Sequence, residues 1–96
     1  MSPKNKIKLK LLRKKLDKID NQLLIVVKKR TEIVKKVLSL KSYKKEIIDK
    51  KRIKTILSKI KKESLKRNID PKITQRIWKN MIWSYIEFEK RNFKKK

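Results

Sequence analysis

The chain has no cysteine, no histidine, no glycine and no alanine, and only two prolines. Without cysteine there is neither a disulfide framework nor a thiolate metal site. Without histidine the usual general base and the usual zinc ligand are both missing. No apolar run approaches the ~18–20 residues needed to cross a bilayer. The N-terminal stretch MSPKNKIKLKLLRKK is basic, yet it lacks an uninterrupted apolar core and a small-residue cleavage site. The expectation is a cytoplasmic, unprocessed chain with no membrane partner.

What is present in excess is positive charge: 33 Lys and Arg against 9 Asp and Glu, a formal net charge of +24. Nucleic acid or an anionic membrane is the first partner such a charge brings to mind. The make-up of the excess argues otherwise. Of the basic residues 27 are lysine and only six are arginine, in a chain rich in isoleucine and devoid of alanine and glycine. This is the composition of AT-rich coding, in which lysine is the default surface residue. Readers of phosphates and base edges favour the planar fork of arginine. Trp78, Trp83 and Tyr85 stand in an apolar helical context, which reads as core and not as a stacking platform. The charge is therefore read as a solvated background, with no nucleic-acid partner. The informative cations are Arg13, Arg30, Arg52, Arg67, Arg76 and Arg91.

With so few breakers, helix is favoured almost everywhere, and no strand pattern competes. Leu12, Leu16, Ile19, Leu23, Val26, Ile33, Val37 and Leu40 step by three and four, and Arg30 fills the one missing step. This is a helical stripe. Nothing interrupts it between Lys4 and Lys41, so the first helix spans ~35 residues, or ~50 Å. A compact monomer of this length has a radius of gyration of only ~12–13 Å. Such a helix projects beyond its own globule, which predicts a partner chain that covers it. Residues 42–48, SYKKEII, read as a loop. Asp49 then caps a second helix carrying Ile53, Ile56, Leu57 and Ile60, which fades at KRNID. Asp70 and Pro71 start a third, with Ile73, Ile77, Met81, Ile82, Tyr85, Ile86 and Phe88 on its apolar face and a fraying KKK tail after it. The fold class is all-α: a single domain over residues 1–96, in three helices.

The arginine in the seam is the unusual feature. Arg30 and Lys41 are eleven residues apart, which on an ideal helix is about 1100°, within about 20° of one face and about 16 Å along the axis. Arg13 lies about 25 Å before Arg30 and about 100° around the helix, so it serves that pocket more easily from an antiparallel partner. Glu89, four residues after Tyr85, brings a carboxyl to the inner face of the third helix. Taken singly, Arg30 could be a snorkelling arginine at a core edge and Glu89 half of a salt bridge. Together they describe a site of several cations and one carboxyl that suits a small polyanion. An enzyme built this way works by positioning and electrostatics.

The segment LLRKKLDKIDNQLLIVVKKRTEIVKKVLSLK resembles the first helix of the all-α chorismate mutase family. IIDKKR resembles the start of its second helix, and NIDPKITQRIWKNMIWSYIEFE its third. The resemblance covers about residues 8–91. It implies an intertwined homodimer of three-helix chains with two shared active sites. These would convert chorismate to prephenate without a cofactor, on the route to phenylalanine and tyrosine. On this resemblance Arg13 would reach a substrate carboxylate from the partner chain, while Arg30 would bind one within the same chain. Lys41 would donate to the ether oxygen, and Glu89 would take the second position at that oxygen. Asp49 would accept from the ring hydroxyl and Arg52 would support the carboxylates. Val37, Ile82, Tyr85 and Ile86 would line the pocket.

Two departures bear on the activity. Ile53 follows Arg52 where many chorismate mutases carry a glutamate, and the connection from Lys41 to Arg52 is one residue shorter than in some of them. Both features also resemble the isochorismate-pyruvate lyases, relatives that release salicylate and pyruvate, although those generally carry glutamine where this chain has Glu89. The mutase is the first expectation, the lyase the alternative, and a basic helical nucleic-acid-binding protein the distant alternative.

Overall fold

The computed structural model describes residues 1–94; Lys95 and Lys96, in the expected fraying tail, lie outside the described residues. Three α-helices account for most of them: α1 (Pro3–Leu40), α2 (Lys50–Lys66) and α3 (Pro71–Asn92), with a short 3-10 turn at Lys44–Glu46. There is no strand among the described residues. The chain divides into two compact units, Met1–Ile33 and Val34–Lys96.

The first unit is a single run of helix. Pro3 occupies its first position, where a missing N–H costs nothing, and the Ser2 hydroxyl accepts from the Asn5 amide at 3.1 Å. None of its side chains is buried. Leu12, Leu16, Ile19, Leu23 and Val26 are each 50–58% exposed, so the stripe is a continuous, half-exposed apolar face. A helix that buries nothing is held by propensity alone, which is marginal in water at any ordinary length.

The second unit holds the core. Leu38, Ile47, Ile82 and Ile86 are buried together, with Ile48, Ile53, Ile56, Leu57 and Phe93 packed around them. Leu38 is the one α1 residue that enters this cluster, whereas Val37 and Leu40 of the expected stripe are exposed. Ile73 and Ile77, expected on the inner face of α3, are also exposed, as is Trp83, which was expected in the core. Helix α2 crosses α3 at two polar locks. The Ser64 hydroxyl, donating to the Ile60 carbonyl at 2.6 Å, also shares a 2.6 Å hydrogen bond with the Thr74 hydroxyl. Further along, the Gln75 amide donates to the Leu57 carbonyl at 2.8 Å.

The turn between these helices is built from residues that suit it. Asn68 adopts φ 56° at the end of α2, and the amides of Ile69 and Asn68 bond back to the carbonyls of Ser64 and Leu65 at 2.9 and 3.3 Å. This is a Schellman closure with asparagine in the position usually given to glycine. Asp70 then caps α3 by accepting from the Lys72 amide at 2.9 Å, with Pro71 as the first helical residue. Asn68→Ala places an ordinary Cβ in the left-handed region and is expected to cost about 1 kcal/mol, read by urea unfolding at fixed protein concentration. Asn68→Gly is expected to cost nothing.

Candidate active site

Helix α1 stops at Leu40, one residue before Lys41, whose amide closes a tight turn onto the Leu38 carbonyl at 3.1 Å. Because Leu38 is anchored in the core, this turn fixes where the Lys41 side chain emerges. Its Nζ donates to both carboxylate oxygens of Glu89, at 3.1 and 3.3 Å. The two side chains are 17% and 7% exposed, so this is a largely desolvated ion pair. Glu89 lies one turn beyond Ile86, on the face of α3 that points into the second unit. Forming such a pair adds little net stability, since desolvation offsets the attraction. Removing one partner strands the other charge, at a cost of about 3–5 kcal/mol. No buried side-chain nitrogen or oxygen among the described residues lacks a hydrogen-bond partner.

Lys41 also borders an open surface depression of about 550 Å³, shared with the exposed Glu46, Asp49 and Lys50 and the half-buried Ile48. The residues between Lys41 and α2 are tightly organised. Glu46 accepts from the Tyr43 amide at 3.2 Å, closing the Lys44–Glu46 turn on itself. The Lys45 ammonium sits 5.5 Å from the Tyr43 ring centre, at cation–π distance. Ile47, only 4% exposed, pins the segment into the core. Asp49 caps α2, its Oδ1 accepting from the Arg52 amide at 2.9 Å. One oxygen of a residue expected to meet substrate is thus committed to the helix end.

The remaining candidates are distributed as follows. Arg52 lies in the first turn of α2 and is exposed. Ile82 and Ile86 are core residues, against Leu38 and Ile47. Tyr85 is half-buried and meets Phe88 edge-on, with ring centres 6.5 Å apart. Val37 is exposed. Arg13, exposed, and Arg30, half-buried, belong to the first unit. The seventeen residues between them set them about 25 Å apart and about 100° around α1, so one straight helix cannot turn both onto one small ligand. The structure therefore gathers Lys41, Glu89 and Asp49, and adds Glu46 and Lys50, which sequence reasoning passed over. The available signal was an acid closing a lysine run, three residues before the helix cap.

Lys41 offers a positive donor, Glu89 a carboxyl held against it, and Glu46 and Asp49 hydrogen-bond acceptors. That set can orient an anion bearing a hydroxyl and stabilise charge developing on an oxygen. Among the described residues no group of acids is placed to hold a metal ion, and no helix is long and apolar enough to cross a membrane. A family model described as chorismate mutase type II matches residues 12–90. No curated protein and no solved structure matches the chain.

Proposed function

The chain belongs to the chorismate mutase type II family, isomerases that convert chorismate to prephenate, and we propose that this rearrangement, rather than a lyase reaction, is its own activity, performed by a cytoplasmic homodimer with shared sites. The observation that carries the reading is the desolvated Lys41–Glu89 pair beside an open depression of about 550 Å³. In the reaction the ether C–O bond of chorismate breaks as a new C–C bond forms within the same molecule. No proton or group leaves, so the protein has only to hold the compact conformer and stabilise charge on the ether oxygen. Lys41 supplies that stabilisation. Its contact is worth most in the transition state, where the oxygen carries most charge, and such contacts raise turnover. Glu89 donates to the same oxygen when its carboxyl carries a proton, since an ionised carboxylate only accepts. Arg30 from one chain, Arg13 from the other, and Arg52 hold the two carboxylates through planar forks.

One observation favours the lyase. Ile53 packs half-buried against the core, so the first turn of α2 offers no carboxylate at that position. Product identification decides between the two. Chorismate and isochorismate are supplied separately; prephenate is expected from the first and no salicylate from the second. Efficient salicylate formation would reverse the assignment.

Glu89→Gln tests the pair from the other side. The amide is a permanent neutral donor of similar shape, and its oxygen can still accept from Lys41. Turnover is expected to stay within about tenfold of wild type, whereas Glu89→Ala, with no donor, loses about 10²-fold or more. Steady-state kinetics on the two variants separate the cases; equal losses would remove Glu89 from the chemistry.

A further inference from the structure

We propose that Glu46 binds the ring hydroxyl of the substrate and thereby sets which hydroxylated dicarboxylate the site accepts; this rests on the chorismate reading above.

The first support is the distribution of charge. With 33 cations and 9 acids in the chain, a lysine chosen at random has mostly lysines around it. Lys41 instead collects three of the nine acids: Glu89 in direct contact, and Glu46 and Asp49 around the same depression. The charged groups that line that depression are two ammoniums, Lys41 and Lys50, and two carboxylates, Glu46 and Asp49. A balanced lining in so basic a chain is not background composition. Its two carboxylates supply acceptors that are scarce in so basic a chain, so the end of the ligand that faces them is the end bearing the hydroxyl.

The second support is the division of labour between the two acids. Asp49 spends Oδ1 on the α2 cap. Glu46 takes the Tyr43 amide on Oε1, which leaves its other oxygen to accept, since an ionised carboxylate offers about four lone-pair positions. Ile53 takes the place in the first turn of α2 from which another acid could have served. Glu46 is exposed, and its carboxylate is oriented by the Tyr43 amide at 3.2 Å. It closes its own turn through Tyr43, and the next residue, Ile47, is buried against Leu38, Ile82 and Ile86. Selectivity for a hydroxyl needs an acceptor fixed by its surroundings.

The experiment compares chorismate with an analogue lacking only the ring hydroxyl, read as substrate or as competitive inhibitor, on wild type, Glu46→Ala and Glu46→Gln. Wild-type turnover of chorismate comes first; if it is absent, the chorismate reading fails irrespective of Glu46. Given turnover, Glu46→Ala is expected to lower kcat/KM for chorismate by about 10- to 100-fold, the scale of a hydrogen bond to a charged group, and to leave the analogue unchanged. Glu46→Gln keeps one oxygen, for the Tyr43 amide, and replaces the other with an NH2 group that cannot accept from the hydroxyl, so it is expected to lose about as much as Glu46→Ala. Equal losses on both compounds would reduce Glu46 to a prop of its loop, and no loss on either would take it out of the site. Both results overturn the proposal.

Discussion

Lys41→Ala is expected to lower turnover by about 10²–10³-fold, the cost of removing one preorganised donor from a developing oxyanion. The same substitution is expected to destabilise the fold by about 3–5 kcal/mol, because it leaves the Glu89 carboxylate, only 7% exposed, without its counter-charge. In a domain whose total stability is of the order of 5–15 kcal/mol the second effect could masquerade as the first. A second substitution separates them. In Lys41→Ala/Glu89→Gln the stranded charge is gone and an uncharged amide remains, so most of the lost stability should return. The positive donor to the ether oxygen is still absent, so turnover should remain low. Thermal unfolding and steady-state kinetics on the two variants make the measurement. If turnover returned together with stability, Lys41 would be a structural partner of Glu89 and nothing more.

The elements that sequence made legible are those fixed by local chemistry. Asp49 and Asp70 accept from backbone amides three and two residues ahead, respectively, and Pro71 opens its helix, so the start of α2 and of α3 could be read from the residues at hand. The end of α1 was less sharp. Leu40 and Lys41 fit the helical period, but the chain turns there to bury Ile47, a long-range contact that periodicity does not reveal. The same cause misplaced the core. Spacing put Val37 and Leu40 in the stripe, yet Leu38 is the residue that α1 buries among Ile47, Ile82 and Ile86. Glu89 could be assigned to an inner helical face, but its contact with Lys41 joins positions 48 residues apart. Glu46 was hidden by its setting. In a run of lysines one acid looks like charge relief, and only the closed turn around it and the depression it borders make it a candidate.

Mixed dimers are expected to recover activity that neither parent has. Arg13→Ala and Arg30→Ala each remove one fork from a substrate carboxylate, and each is expected to cost about 10²-fold or more. The two arginines lie about 25 Å apart and about 100° around one helix, which is why the proposed shared site draws them from different chains. The surface proposed to receive a second chain is the stripe from Leu12 to Val26. Its residues are half exposed in the single chain, and a second copy carries the same apolar face, as an isologous interface requires. A heterodimer of the two variants then holds one site lacking both arginines and one site with both intact. Random reassembly gives heterodimers as half of all dimers, so unfolding and refolding an equal mixture should restore about a quarter of wild-type activity. The same mixture without unfolding should stay inactive for as long as the parent dimers do not exchange. Sedimentation of the unmixed protein supplies the control, since a monomer would leave the stripe uncovered. Verified heterodimers with no recovered activity would refute the shared pocket.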